Sequence, residues 1–257
     1  MNSFSQSPFL QALGWATLNS FWQMGLLWCC FVTANYLFHF SARKKYVLST
    51  ACIFLGFTWF IITFFLFFSG IFFYSFLFSA PGLKATYHFL PVFLSSASVA
   101  YMLLLAIPGY KLFSNWKFVM LLRHHGLQKA DIQYKLFVKK ISGQLNIKKA
   151  VGIYVSCLVK SPVTIGYLKP IILLPIASVN QLTTQQAEAI LLHELSHIKR
   201  YDYLINILIN VVHTLLYFNP FVTLFIHITE EERENCCDQM RWYCSSDMIK
   251  SATPLLY

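Results

Sequence analysis

Residues 193–197 read His-Glu-Leu-Ser-His. Two histidines four apart share one face of an α-helix, so their imidazoles can grip one metal ion. Glu194 stands beside the first. A carboxylate there can reach a water polarised by the ion and take its proton as the water attacks a peptide carbonyl. This is the chemistry of a zinc-dependent endopeptidase, with Zn2+ as cofactor, His193 and His197 as metal ligands and Glu194 as the catalytic base. A catalytic zinc site normally takes three protein ligands, so a third must come from downstream. The candidates are Glu230, Glu231, Glu232 and Glu234. Glu234 is preferred because it opens Glu234-Asn235-Cys236-Cys237-Asp238. On a helix Glu234 and Asp238 share a face, so the Asp can accept the free N–H of a ligand histidine while the Glu binds the metal. Glu230–Glu232 read as a solvated acidic helix start. Cys236 and Cys237 read as small packed residues, His213 and His227 as structural, and Asp202 as a local cap or salt-bridge partner.

The pair needs a helix beneath it. Thr183-Thr184-Gln185-Gln186 fits a capping box, and a helix is expected from Gln185 to about Arg200. A helix is also expected over Leu127–Leu145, where Phe137, Ile141 and Leu145 recur four apart. Val151, Ile153, Val155 and Cys157 alternate as in a half-buried strand. Val163–Tyr167 and Pro170–Leu174 read as two short strands. The prolines at 162, 170 and 175 suggest edge positions, because a central strand cannot spare the N–H. An exposed edge at Val163, Thr164, Ile165 and Gly166 could receive an extended peptide substrate as an added strand.

The remainder is too apolar for an ordinary soluble chain. Hydrophobic residues make up 57% of the 257 and charged residues 12%, against roughly 45–50% and about 25% in soluble domains. No acid precedes Asp131. Three N-terminal transmembrane spans are expected, at about 15–40, 46–78 and 88–110, each long enough to cross a bilayer, which takes roughly 20 residues. The second exceeds a single untilted span, so part of it should lie at the interface. Arg43, Lys44 and Lys45 follow the first span. The loop at 81–87 holds only Lys84, and Lys111, Lys117 and Arg123 follow the third. By the positive-inside rule the N-terminus is outside, and the domain over 111–257 faces the cytoplasm. The same rule explains the net charge of +10 without direct nucleic-acid binding. Seven cysteines without repeated spacing indicate no disulfide framework. With no basic residue before the first apolar run, a cleaved signal peptide is not indicated.

Tyr203–Ile228 could be a fourth span by hydropathy. A full crossing would put Glu234 outside while His193 and His197 stay inside, and the three could not meet. Asn206, Asn210 and His213 form one helical stripe, and Asn219-Pro220 interrupts a helix. A bent, re-entrant helical hairpin is therefore expected, its polar stripe turned toward protein.

From about Leu158 to Asp238 the sequence resembles the BlaR/MecR-type antirepressor membrane peptidases. The resemblance rests on Ser161-Pro162-Val163, Gly166, Pro170-Ile171-Ile172-Leu173-Leu174-Pro175 and His193-Glu194-Leu195-Ser196-His197-Ile198. Arg200-Tyr201-Asp202-Tyr203, Asn219-Pro220 and Glu232-Arg233-Glu234-Asn235-Cys236-Cys237-Asp238 complete it. It implies a membrane α+β protein with a zincin-like (gluzincin) domain facing the cytoplasm of a bacterial inner membrane. His193, His197 and Glu234 would be ligands and Glu194 the base. Relatives sense an external signal and cleave themselves and a cytoplasmic transcriptional repressor. They continue into a further span and an external domain, so the peptidase domain is expected to be truncated at Tyr257. Two other readings stand beside this one. One is a housekeeping membrane protease of the CAAX-prenyl-protease or quality-control type. The other is a catalytically inactive transducing scaffold.

Overall fold

A computed structural model describes residues 7–70 and 89–252, with backbone only at 89, 178, 180 and 240–252. The chain divides into two compact units. The first comprises residues 1–112 and 209–231, the second 113–208 and 232–257. The protein is a helical α+β molecule with one small mixed sheet.

Three long helices begin the chain: α1 (Pro8–Phe38), α2 (Ala42–Phe68) and α3 (Phe89–His124). Two of them, α2 and α3, are long and apolar enough to cross a membrane by length and composition. α1 has the length, but Gln11, Asn19 and Gln23 dilute its apolar character. Large apolar side chains such as Leu55, Phe65, Leu103 and Ile107 are exposed on α2 and α3, the pattern of helices whose solvent is lipid. The tail of the expected second span, the loop around Lys84 and the first residue of the third span lie outside the described residues. α3 does not stop near Tyr110 as expected but runs on to His124, carrying the basic segment with it.

Within the first unit α1 and α2 pack tightly. A Cβ at Gly56 would fall 1.9 Å from Met24 Sδ, so the glycine is what lets the helices approach. Gln23 donates to Thr63 Oγ1 across this interface at 2.9 Å. Ser98 donates to the Leu10 carbonyl at 2.5 Å. The break expected within 203–228 is present: α7 (Asp202–Leu215) ends before 216–219 and α8 (Pro220–Ala252) begins after it. Asn219 is fully buried and makes the break. Its Nδ2 donates to the Ser20 carbonyl at 3.0 Å, and its Oδ1 accepts the Phe221 N–H at 3.1 Å. Asn210 is exposed, so the polar stripe does not turn wholly inward.

The second unit holds the sheet. Strands β1 (Leu127–Lys129), β2 (Gly152–Ser156), β3 (Val163–Ile165) and β4 (Ile171–Pro175) lie in the order β1-β2-β4-β3. β2 and β4 are parallel, and the two outer pairs are antiparallel. One face is covered by α4 (Ile132–Gln144) and α6 (Thr184–Arg200). There Ile153, Val155, Ile172 and Leu174 meet Val138, Ile141, Leu191 and Leu195. Leu173 and Ile165 bury the other face with Leu122. A short α5 (Ile176–Gln181) links β4 toward α6.

Two expectations are corrected here. The helix read over Leu127–Leu145 begins only after β1. Gly126 turns left-handed at φ 71°, and Asp131 caps α4 by accepting the Gln133 N–H. β4 is an interior strand, not an edge. Pro170 precedes the strand and Pro175 is its last residue, so neither interrupts the ladder, and its continuous apolar run suits burial on both faces. β3, by contrast, is an edge strand as expected.

Candidate active site

α6 begins at the expected capping box. Thr183 Oγ1 accepts the Gln186 N–H, and Gln186 Oε1 accepts the Thr183 N–H. Leu191, Leu195 and Ile198 anchor one face of the helix in the core. His193 and His197 then stand together on another. Their Nε2 atoms are 3.2 Å apart. Glu234, on α8, brings Oε2 to 3.5 Å from His193 Nε2 and 3.7 Å from His197 Nε2. Three atoms bound to one zinc at about 2.1 Å in tetrahedral geometry would be separated by roughly 3.4 Å. The observed triangle has that size, so the donor set fits the ion in both chemistry and spacing.

Glu194 is buried beside this triangle. Its Oε2 accepts a hydrogen bond from Thr164 Oγ1 at 2.7 Å. A cavity of about 320 Å³ is lined by Thr164, His193, Glu194, His197, Tyr203 and Glu234, among others. A second, of about 550 Å³, shares Pro162, His193 and Glu194 and reaches Asp238. Glu194 therefore faces a cleft from both sides, beside the free edge of β3.

The carboxylate that steadies a histidine is not the one expected. Asp202 Oδ2 lies 2.7 Å from His197 Nδ1. Asp238 comes only to 3.8 Å from His193 Nδ1, an ion-pair distance too long for a hydrogen bond. Asp202 directly follows Tyr201, which ends α6 in the left-handed region at φ 61°. Arg200 donates to the same Asp202 oxygen and also to the Arg233 carbonyl at 3.0 Å. Burial pulls the His197 imidazolium down. The hydrogen bonds and charges of Asp202 and Cys237 outweigh it and hold the group up to about 10. Burial pushes Asp202 up, yet His197 and Arg200 hold it below the usual carboxylate range. Cys237 is fully buried with Sγ 3.3 Å from His197 Nδ1. The same Sγ lies 3.6 Å from His197 Nε2. His197, Asp202 and Cys237 also lie close enough to hold a cation, but the Arg200 guanidinium already occupies the Asp202 carboxylate, and its charge opposes a second ion there.

Two functional contacts escaped the sequence reading, Thr164 to Glu194 and Asp202 to His197. A hydroxyl on an apolar edge strand and an acid two residues beyond a helix end were the available signals.

A family model described as BlaR1 peptidase M56 matches residues 87–241. The chain belongs to this family. The M56 peptidase match takes in all four described strands, α6 and the three clustered donors. Among curated relatives, the Regulatory protein BlaR1 of Bacillus licheniformis is 37% identical over 83 residues, 32% of this chain and 14% of that protein. The Methicillin resistance mecR1 proteins of Staphylococcus aureus and Staphylococcus epidermidis are each 33% identical over 92 residues, 36% of this chain and 16% of theirs. The match thus spans less than a fifth of the length of these relatives.

Proposed function

We propose that this chain is a membrane-embedded zinc endopeptidase of transmembrane signalling, which cleaves itself, a cytoplasmic repressor or both. The observation that carries the reading is the triangle of His193 Nε2, His197 Nε2 and Glu234 Oε2, with sides of 3.2, 3.5 and 3.7 Å, beside the buried Glu194 carboxylate. The M56 family match supports peptidase chemistry, and the names of the relatives support a regulatory setting. The finer expectations belong to the same reading. They are three N-terminal spans within residues 1–110, a gluzincin-type domain over 111–257 on the cytoplasmic side, and an external N-terminus in a bacterial inner membrane. α2 and α3 support two of these spans.

His193, His197 and Glu234 would hold the ion. Bound there, zinc would supply Lewis acidity, drawing the pKa of water toward neutrality. Glu194 takes the proton of the attacking water and returns it to the leaving amine, a role that contributes about 10²–10⁴-fold. Thr164 Oγ1 fixes Glu194 Oε2 during that exchange. Asp202 holds the His197 Nδ1–H, so Nε2 presents its lone pair to the metal. An extended peptide pairs with the outer edge of β3 at Val163–Ile165 and runs on past Gly166. This edge lies next to Thr164, so substrate docking and orientation of the base share one strand.

The test is Glu194→Gln in the full chain, with zinc content and cleavage of a winged-helix repressor from the same genome both measured. Zinc should stay stoichiometric while cleavage vanishes. Undiminished cleavage would sink the mechanism, and a wild-type protein without zinc would sink the metal site.

A further inference from the structure

α4 is half core and half surface. Val138 and Ile141 enter the hydrophobic core. On the opposite side Ile132 and Leu136 are 69% and 63% exposed. They lie one turn apart, about 40° around the helix. Lys135 and Lys139 flank this apolar pair on one side and Lys140 on the other, all exposed. Beside them a groove of about 730 Å³ is lined by Lys129, Lys135, Lys139 and Lys148, and among the described residues no carboxylate lines it. A fifth lysine there, Lys149, already gives its ammonium to the Tyr167 carbonyl and the Tyr201 ring. The helix-end acid, Asp131, is engaged as the N-cap.

Two apolar side chains ringed by lysines are the pattern of a helix lying in a membrane interface, with the ammonium groups reaching outward to phosphate. We propose that this face of α4, with its lysine-lined groove, docks on the anionic headgroups of a membrane leaflet. Ile132 and Leu136 would enter the acyl boundary, and a headgroup phosphate would sit in the groove. A soluble anion would satisfy the lysines but leave both apolar residues in water. A second copy of the same basic face would be repelled. An anionic leaflet meets the charge and the apolar pair together. The proposal rests on the membrane part of the reading above and not on the peptidase part.

The full chain carrying a photoreactive benzoylphenylalanine in place of Leu136 would be reconstituted in nanodiscs. One set would be neutral phosphatidylcholine and another would hold one third phosphatidylglycerol. Illumination should give lipid adducts by mass spectrometry, several-fold more in the anionic discs. A triple K135Q/K139Q/K140Q background should lower the yield at least tenfold, since each lysine near an anionic surface contributes roughly fivefold. The Glu194→Gln variant should give the wild-type yield, which separates this proposal from the peptidase reading. Adducts to protein, equal yields in neutral and anionic discs, or a chain that enters the discs without forming lipid adducts would each overturn the docking face. A chain that fails to enter the discs would overturn the membrane reading itself.

Discussion

Asp202→Asn asks whether the carboxylate behind His197 governs the metal. In the metal-free protein the His197 imidazolium is held up to about 10, against an ordinary 6.5, because Asp202 and Cys237 together outweigh its burial. Zinc can take Nε2 only after that proton leaves. Apparent zinc affinity of the wild type should therefore rise roughly tenfold per pH unit between about pH 7 and 9. Asparagine keeps an acceptor oxygen but removes the charge, so His197 titrates closer to its ordinary value and the slope should flatten above about pH 7. The same charge also favours zinc, and more strongly than it favours one proton. At about pH 9, where protons compete least, the variant should bind zinc 10–100-fold more weakly, the usual loss when a carboxylate behind a ligand histidine is removed. That is about 1.4–2.7 kcal/mol. Competition with a chromophoric chelator, on the full chain in detergent micelles, measures affinity and slope together. Wild-type affinity with an unchanged slope would refute the role given to Asp202.

Thr164→Val removes the hydroxyl that donates to Glu194 at 2.7 Å. A hydrogen bond to a charged group contributes about 1.5–3 kcal/mol, so kcat/KM for peptide cleavage should fall about 10–100-fold with zinc retained, and Thr164→Ser should restore most of it. Glu234→Ala should instead strip the metal, read as zinc content after dialysis, because two histidines alone make a weak site. Asn219→Ala loses a buried side chain with partners on both ends. It should cost about 1–3 kcal/mol, read as a lower thermal midpoint. In the metal-free chain that midpoint should also depend on pH. His197, raised above its ordinary 6.5, contributes fully below that pH and loses its contribution as pH rises through about 10. Asp202, held below its ordinary 3.8, contributes above that pH and loses its contribution as pH falls. The midpoint should be highest between about pH 4 and 6.5 and fall on both flanks, and a flat profile would contradict the ion pair.

What could be read from the sequence was local or periodic. Helical spacing announced the histidine pair, the capping box announced the start of α6, and Asn219-Pro220 announced the break between α7 and α8. Glu234 followed from the need for a third ligand. What stayed hidden depended on neighbours in space. The run 171–174 was read as an edge strand because of its flanking prolines, and only pairing with both β2 and β3 reveals it as central. Lys129 and its neighbours became β1 because Gly126 and Asp131 cut the helical pattern short. Thr164 lies thirty positions from Glu194, and no pattern in either segment announces the contact. Asp202 was visible, but its target was not.

The left-handed turn at Tyr201 works as a ruler. An uninterrupted helix would carry the residue five positions beyond His197 about 140° around the axis, with its carboxylate aimed away from the imidazole. Because α6 stops at Tyr201, the chain turns there and the next residue meets Nδ1. The basicity of His197 is thus set by where a helix ends. One residue added or deleted between His197 and Asp202 would alter the proposed zinc chemistry without substituting His193, His197 or Glu234.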